Sequence, residues 1–306
     1  MILYYTDLYE FPLPPGHRFP LQKFRWVREL LVKDGTWAFA PAPPADAAVI
    51  ELAHDRDYVR QFLEGRLPRE AMRRIGFPWS EALVRRTLAS VGGTLAAARD
   101  ALAAGFGGSL AGGTHHACHA QGAGFCVFND IAVAIHWART EAAIRRAAVV
   151  DLDVHQGDGT ALIFHGDPAV LTISVHGQNN FPFHKQQSDV DVELADGCGD
   201  EEYLQALAPL WRQVRAFAPD ILFYQAGVDA QAGDGFGRLA LTQDGLKRRD
   251  RLVLETCREA GIPVAVILGG GYGARLQDTA EAHANTYRVA WELFGTTPEI
   301  RNRKSR

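Results

Sequence analysis

The chain has 306 residues, 47% of them hydrophobic and 22% charged, so it is long enough to bury a sizeable core in one large domain or two small ones. A net charge of −4 and a pI near 6.3 give it no basic field for phosphate backbones, which argues against nucleic acid as a direct ligand. The four cysteines form no Cys-x-x-Cys pair, and neither a signal peptide nor a run of membrane-spanning length is found, so we expect a soluble cytoplasmic protein with reduced thiols and no membrane partner.

The first part of the chain predicts short strands among helices. The predicted elements are a strand over residues 2–5, a helix over 22–32, an irregular connection over 41–44, a short strand over 49–52, and helices over 55–64 and 81–104. For the last of these helices, Ser80 is a suitable N-cap and Gly105 a suitable end. Its internal Gly92-Gly93 pair costs about 1 kcal/mol per glycine relative to alanine, so we expect close packing or a kink there.

The remainder of the chain alternates apolar strands with helices after one unusual loop. Residues 112–130 contain too many glycines for regular structure and predict an ordered loop that builds a site. Strands are predicted over residues 149–155, 170–176, 220–227 and 263–268, and helices over 131–139, 201–217 and 243–260. This alternation indicates a mostly parallel sheet with helices on both faces. Because no linker, repeat or low-complexity tract divides the chain, we predict one α/β domain over residues 1–306, with a frayed basic tail from about residue 299.

A cluster of potential metal ligands follows the apolar pair Val149-Val150. Alternation along a strand puts Asp151, Asp153 and His155 on one face, and sites in α/β sheets lie at the carboxyl ends of the strands. A single aspartate there is usually only a solvated strand end. Two aspartates and a histidine in phase favour a metal site instead.

A further carboxylate, Asp229, follows the third of these later strands. Together with Asp153 and His155 it would make a mixed nitrogen and oxygen set that leaves one coordination position open, which is typical of a catalytic zinc ion. Taken alone, Asp229 is equally compatible with a role in forming the turn.

Two histidines and a tyrosine have the chemistry to accompany such a metal. His115 and His116 are suited to general acid–base catalysis, although a pair of histidines in a glycine-rich loop is also compatible with simple exposure. Asp151 and Asp158 could each orient one of the two rings. Tyr272 lies in a Gly-Gly-Gly-Tyr-Gly segment that lacks the Lys-Ser/Thr of a P-loop, and its hydroxyl is suited to stabilising an oxyanion. Three further histidines are expected to be exposed or at the rim of the site: His119, His176 and His184.

Five motifs, in this order, resemble the zinc-dependent histone deacetylase family and in particular its class IV-like bacterial branch. They are Gly-Thr-His-His-Ala at 113–117, Gly-Phe-Cys-Val-Phe-Asn-Asp at 124–130, Asp-Leu-Asp-Val-His-Gln-Gly-Asp-Gly at 151–159, Gln-Ala-Gly-Val-Asp at 225–229 and Gly-Gly-Gly-Tyr at 269–272. The resemblance spans most of the chain. It implies the arginase/deacetylase fold, with Zn²⁺ bound by Asp153, His155 and Asp229.

The resemblance also implies a second cation and a substrate tunnel. The cation is usually potassium (K⁺), and its ligands would be Asp151, Asp153, the Ser174 hydroxyl and main-chain oxygens near His155 and Val175. Gly124, Phe125 and Phe181 would line a narrow tunnel for an acylated lysine-like chain. Gln156 stands where many family members have histidine, as is usual in the class IV-like branch. No counterpart of the rim aspartate that grips a substrate backbone is found, which argues against peptide recognition.

The expected function is therefore that of a zinc-dependent amidohydrolase that removes an acyl group, acetyl or longer, from a lysine-like or polyamine amine. In this prediction His116 takes a proton from water and passes it to the leaving amine. His115, paired with Asp151, supports it electrostatically, and Tyr272 donates a hydrogen bond to the developing oxyanion.

Two other functions remain open at this stage. An arginase-like ureohydrolase on the same fold would need a two-manganese cluster, but Gln231 occupies the place where a second acid beyond Asp229 would be required. A non-catalytic module that binds acyl chains or polyamines is the second alternative. The sequence leaves open the acyl-chain length, the kind of amine, the oligomeric state and whether zinc or iron is bound in the cell.

Overall fold

The computed structural model describes residues 1–295, and in this part of the chain eight strands form one sheet. The strands are β1 (Ile2–Tyr5), β2 (Ala38–Pro41), β3 (Phe106–Ser109), β4 (Ala147–Asp151), β5 (Val170–Gly177), β6 (Val190–Leu194), β7 (Ile221–Ala226) and β8 (Val264–Leu268). Every pairing is parallel, and the strand order is β2-β1-β3-β8-β7-β4-β5-β6. The tail predicted to fray from about residue 299 lies outside the described residues.

Helices cover both faces of this sheet. They are α1 (Gln22–Asp34), α2 (Ala47–Ile50), α3 (Arg56–Leu63), α4 (Arg69–Ile75), α5 (Glu81–Ala104), α6 (Asp130–Glu141), α7 (Asp158–Phe164), α8 (Asp200–Leu207), α9 (Leu210–Phe217), α10 (Gln243–Ala260) and α11 (Leu276–Phe294). Val149 and Val150 of β4 pack in two different hydrophobic clusters, one on each face. The predicted single-domain α/β fold with a parallel sheet between two helical layers is thereby confirmed. Within residues 1–295 no helix is both long and apolar enough to cross a membrane.

The long helix α5 has the start, the end and the close packing that its sequence predicts. The Leu83 N–H donates to Ser80 Oγ at 3.1 Å, and the chain turns out of the helix at Gly105 with φ +85°. A methyl group at Gly92 would lie only 1.7 Å from the Pro43 carbonyl oxygen. The glycine pair is therefore needed for the helix to approach a neighbouring backbone.

Two predicted elements are wrong. Residues 49–52 do not form a strand, because Val49 and Ile50 belong to the short helix α2 and a turn follows them. A short, mostly apolar run does not distinguish the two structures. The single helix predicted over residues 201–217 is divided into α8 and α9 at Pro209, which has no N–H to continue the first helix.

The central strand is also shorter than predicted, since β4 ends at Asp151. Beyond that residue, backbone N–H groups donate to aspartate side chains and no longer to a neighbouring strand. Asp151 Oδ1 accepts from the Asp153 N–H at 3.1 Å, and Asp153 Oδ1 accepts from the His155 N–H at 3.0 Å. The two candidate ligands, Asp153 and His155, therefore lie on successive turns and not along a strand.

A buried ion pair on α10 ties together the chain segments that follow β4 and β7. The Arg249 guanidinium donates to the carbonyl oxygens of Leu152 at 3.2 Å and Gly227 at 2.6 Å. It also donates twice to Asp250 Oδ1, at 2.9 and 2.8 Å, and both side chains are almost fully buried. Tyr224 donates its hydroxyl proton to the same Asp250 oxygen. This network fixes the spacing of two strand ends that carry candidate ligands.

We expect Arg249→Met to lower the free energy of unfolding by about 3–5 kcal/mol, because it leaves the Asp250 carboxylate buried without its cation. Arg251→Met is the matched control, since Arg251 pairs with Glu292 at the surface, where such pairs contribute about 0–1 kcal/mol. Urea denaturation followed by circular dichroism measures both effects. Equal, small losses for the two variants would contradict the clamping role of the buried pair.

Candidate active site

The carboxyl ends of β4, β7 and β8, which are neighbours in the sheet, bring the three predicted metal ligands together. Asp153 and His155 follow β4, and Asp229 follows β7. One ligand atom from each of the three residues lies within 4.8 Å of the other two. His155 Nδ1 is 3.0 Å from Asp153 Oδ1 and 3.2 Å from Asp229 Oδ2. Two carboxylates and an imidazole thus face one point.

Backbone N–H groups from neighbouring loops hold both carboxylates in position. The Val154 N–H, after β4, donates to Asp229 Oδ1 at 2.8 Å. The Gly270 N–H, after β8, donates to Asp153 Oδ2 at 2.6 Å. Asp229, after β7, is therefore bound by the loop of the adjacent strand β4, and Asp153, after β4, is bound by the loop of β8, which lies two strands away. The three loops thus depend on one another.

This arrangement fits a divalent metal ion. Asp229 Oδ2 is buried and has no hydrogen-bond partner, and burial followed by repulsion from Asp153 raises the pKa of this carboxyl to about 7. Burial alone lowers the pKa of His155, but the negative charges of Asp153 and Asp229 close to its Nδ1 outweigh burial and raise the pKa to about 10. A cation at this point would stabilise the ionised carboxylates and the neutral imidazole. Two oxygen donors and one nitrogen donor suit zinc in particular.

The adjacent histidines lie beside this cluster, each paired with a different aspartate. His115 Nδ1 is 2.6 Å from Asp151 Oδ2, and His116 Nδ1 is 2.6 Å from Asp158 Oδ1. The two ring centroids are 4.1 Å apart, and the His116 ring is 5.9 Å from that of His155. A carboxylate at Nδ1 accepts its proton, which leaves Nε2 of a neutral ring with a free lone pair.

The two histidines have oppositely shifted pKa values because different charges surround them. Burial disfavours the charged form of His115, but the carboxylates of Asp151 and Asp153 outweigh burial and raise its pKa to about 9. Burial also lowers the pKa of His116, and the neighbouring His115 lowers it further, to about 4, against the opposing effect of Asp158.

Asp130, the first residue of α6, organises the glycine-rich loop that carries the histidines. Its Oδ1 accepts from the Thr114 N–H at 2.8 Å, and its Oδ2 accepts from the Gly113 N–H at 3.0 Å. The Gln225 amide from β7 donates to the Gly113 carbonyl oxygen at 2.9 Å. Asp130 is the last residue of the motif at 124–130, but its sequence context did not predict this role. Its position in a loop with no other acid was the available signal.

A cavity of about 270 Å³ opens next to the metal cluster, and the three predicted tunnel residues, Gly124, Phe125 and Phe181, line it. Phe181 packs edge-on against His116, with the ring centroids 4.8 Å apart. Sequence reasoning missed Phe236, which also lines the cavity and packs edge-on against Tyr272 at 4.7 Å. Nothing in the local sequence distinguishes this phenylalanine from a loop residue.

Tyr272 lines the same cavity, and Asp234 holds its backbone. The Tyr272 N–H donates to Asp234 Oδ2 at 2.6 Å, while Asp234 Oδ1 accepts from the Phe236 N–H at 2.8 Å. Burial, followed by the nearby Asp153 and Asp229, raises the pKa of the Tyr272 phenol well above its usual value. Within residues 1–295 the hydroxyl has no hydrogen-bond partner, so it is free to donate to a group in the cavity.

Only some of the residues implied as ligands of a second cation lie next to one another. Asp151 and Ser174 are direct neighbours in the β4–β5 register, but Ser174 Oγ lies 2.9 Å from His176 Nδ1. Val175 is buried. His176 is buried behind the site and not at its rim, whereas His119 and His184 are exposed. The potassium site stays a prediction.

Comparison with known proteins relates most of the chain to histone deacetylases and similar amidohydrolases. A family profile described as histone deacetylase domain matches residues 17–287. An uncharacterized protein of Picosynechococcus sp. is 46% identical over 96% of this chain and 99% of its own length. A histone deacetylase-like amidohydrolase of Pseudomonas aeruginosa is 31% identical over 85% of this chain and 74% of its own length.

Solved structures share the fold. An acetylpolyamine aminohydrolase from Burkholderia pseudomallei has a TM-score of 0.80 at 22% identity, covering 96% of this chain and 99% of that one. The HD domain of HDA15 also has a TM-score of 0.80, at 23% identity, covering 94% of this chain and 90% of that one.

The geometry of the metal cluster predicts the effect of one small substitution. A methyl group at Gly270 would lie 1.8 Å from Asp229 Oδ2, so we expect Gly270→Ala to displace that carboxylate and to weaken zinc binding at least tenfold. Gly199→Ala is the control, because nothing lies within 4 Å of its added methyl group. Elemental analysis of both variants after dialysis measures the bound metal. Full zinc retention in Gly270→Ala would argue against Asp229 as a ligand.

Proposed function

Because this chain belongs to the histone deacetylase family, we propose that it is a zinc-dependent amidohydrolase that removes acyl groups from a lysine-like or polyamine amine. The observation that carries the proposal is the meeting of a ligand triad, a histidine pair and a free phenol at one cavity. Family membership supports hydrolysis of amides. The triad Asp153, His155 and Asp229 supports the choice of metal.

Asp153, His155 and Asp229 would hold the zinc ion, which would supply Lewis-acid polarisation of the scissile carbonyl group and lower the pKa of a water molecule toward about 7. Within residues 1–295 this triad is the one cluster of its kind, and Gln231 adds no carboxylate to it, which favours a single metal over an arginase-like pair. The implied structural potassium ion would be held by Asp151, Asp153, Ser174 and main-chain oxygens of His155 and Val175.

His116 acts in this proposal as the base that takes the proton from water and as the acid that returns it to the leaving amine. Asp158 accepts the Nδ1 proton and so keeps the Nε2 lone pair available. The ring lies against Phe181, a tunnel wall, which places it where an acyl amide would pass.

His115 has a different task, because Asp151 and Asp153 surround it with negative charge. Its positive charge offsets that of the carboxylates and stabilises negative charge that develops on the reacting amide. It therefore supports the reaction electrostatically without transferring a proton.

The proposal is tested by measuring release of free amine from an acetyl-lysine amide and from an acetylpolyamine. We expect His116→Ala to lower kcat by about 10²–10⁴-fold with zinc retained, because the ring acts on the proton and not on the metal. His115→Ala, the matched neighbour, is expected to be milder. No turnover of acetyl or longer acyl amides by the zinc-loaded wild type would overturn the proposed function, and a larger loss for His115→Ala would exchange the two roles.

Tyr272 is expected to donate to the oxyanion that forms when the carbonyl carbon is attacked. Tyr272→Phe removes the hydroxyl and keeps the ring packed on Phe236, so fold and zinc content are retained while kcat falls by about 10²–10³-fold and KM changes little. Steady-state kinetics on the better substrate measure the effect. A kcat within about threefold of wild type would show that the phenol stabilises no charge.

A further inference from the structure

The cavity beside the metal cluster contains two buried cations that the proposed reaction does not use. It extends from Phe181 and Phe236 to Phe24 and Leu83, and its walls are mostly apolar. Lys23 of α1 and Arg86 of α5 also line it, with exposed fractions of 1% and 6%. Long cationic side chains are rarely buried to this extent unless they are paired.

Arg86 uses only a small part of its hydrogen-bonding capacity on the protein. Its Nη1 donates to the Thr6 carbonyl oxygen at 3.0 Å, and its guanidinium carbon lies 4.3 Å from the centre of the Phe24 ring. A guanidinium has five N–H donors. Within residues 1–295 no carboxylate oxygen lies within 4 Å of Arg86, so donors remain available on the cavity side.

Lys23 of α1 lies close to the same aromatic ring and contacts the loop that carries Tyr272. Its Nζ lies 5.3 Å from the centre of the Phe24 ring and donates to the carbonyl oxygens of Gly269 at 3.0 Å and Gly271 at 3.4 Å. An ammonium group has three donors, so one is left over. Neutral carbonyl groups are thus the direct partners of both cations.

Burying these charges is unfavourable without an anion. Burial lowers the pKa of Lys23 to about 8, although the more distant carboxylates of Asp229, Asp153 and Asp234 oppose this shift. Burial also lowers the pKa of Arg86 to about 10, against the opposing effect of Asp7. The contrast is Arg249, which is equally buried but is neutralised by direct contact with Asp250. A ligand that brought a carboxylate to Arg86 would supply the missing counter-charge through charge-assisted, potentially bidentate hydrogen bonds.

We propose that Arg86 and Lys23 form a carboxylate-binding subsite, so that the enzyme accepts acyl groups that end in a carboxylate, such as malonyl, succinyl or glutaryl. The apolar walls suit the methylene groups of such a chain, and the two cations suit its end. This inference rests on the proposed function and specifies its acyl group. Water adds its oxygen to the amide carbonyl carbon, the C–N bond breaks, and the products are the protonated amine and a dicarboxylate.

The experiment measures hydrolysis of lysine amides that differ only in the acyl group. Each carboxylated acyl group is compared with a neutral group of similar size, for example succinyl with valeryl. We expect the wild type to favour succinyl or another member of the series in kcat/KM by about 10- to 100-fold, as one or two charge-assisted hydrogen bonds provide. Arg86→Gln is expected to reduce this ratio by about the same factor, and Arg86→Lys to restore part of it.

Arg85→Gln is the matched control, because Arg85 is the preceding residue on α5 and is exposed. This substitution removes the same charge outside the cavity. Its ratio is expected to equal that of the wild type. Melting temperatures of all variants show whether Arg86→Gln is folded. Isothermal titration of the zinc-loaded His116→Ala variant, in which turnover is slow, with succinyl-lysine and valeryl-lysine amides gives the same comparison as dissociation constants. Arg86→Lys repeats the comparison if Arg86→Gln does not fold.

The outcomes separate this inference from the proposed function. Turnover of acetyl-lysine amide with no preference for any carboxylated acyl group overturns the subsite and leaves the function standing. If no amide is turned over but succinyl-lysine amide still binds more tightly than valeryl-lysine amide, the proposed function is overturned and the subsite stands. If Arg86→Gln weakens product inhibition by acetate but leaves the succinyl-to-valeryl ratio unchanged, the cations hold only the released carboxylate and the inference is wrong.

Discussion

The structure depends on one electrostatic constraint, which is that several carboxylates must lie side by side in a buried place. Asp153 and Asp229 can do so because each accepts a hydrogen bond from the backbone of another strand's loop, Gly270 and Val154 respectively. The same bonds hold the carboxyl ends of β4, β7 and β8 together. Asp234 extends the pattern, since it accepts from the backbone of Tyr272. The acids that gather at the site are therefore also the cross-links that order its loops, and a substitution at any of them affects geometry as well as chemistry.

This constraint explains why glycines surround the site. Added methyl groups at Gly227 and Gly269 would lie 2.3 and 2.8 Å from Asp153 Oδ2. A backbone can approach a carboxylate closely enough to donate to it only where no side chain intervenes. Beneath the loops, the buried pair of Arg249 and Asp250 holds the carbonyl groups that precede the ligands. Backbone donors above and a guanidinium below leave the ligand carboxylates little freedom to move, which is the preorganisation a metal site requires.

Most of the strands in the sheet, and most of the residues at the candidate site, could be predicted from the sequence, because strands and site residues both leave strong local signals. Apolar runs mark β4, β5, β7 and β8, and the acids follow them directly. The strands β2, β3 and β6 and the helices α4, α7 and α11 were not predicted. β3 is Phe-Gly-Gly-Ser. A methyl group at Gly107 would meet the Ala97 carbonyl oxygen of α5 at 1.8 Å, and one at Gly108 would meet the Leu3 side chain at 2.5 Å, so neighbours on both faces require glycine. Phe236, Lys23 and Arg86 could not be assigned to the cavity, since only tertiary contacts bring α1, α5 and the Asp234 loop to it.

The histidine pair shows how far such contacts decide chemistry that the sequence leaves open. His115 and His116 are adjacent, identical and both buried, so burial alone would depress both pKa values. They differ in the carboxylates around them. His115 lies between Asp151 and Asp153, whereas His116 has only Asp158, which is partly exposed and so exerts a weaker effect. Once His115 holds a proton, its charge at a ring separation of 4.1 Å further disfavours protonation of His116. In the proposed reaction this difference would keep His115 charged and leave His116 able to accept a proton, and it follows from the unequal placement of the aspartates around the two rings.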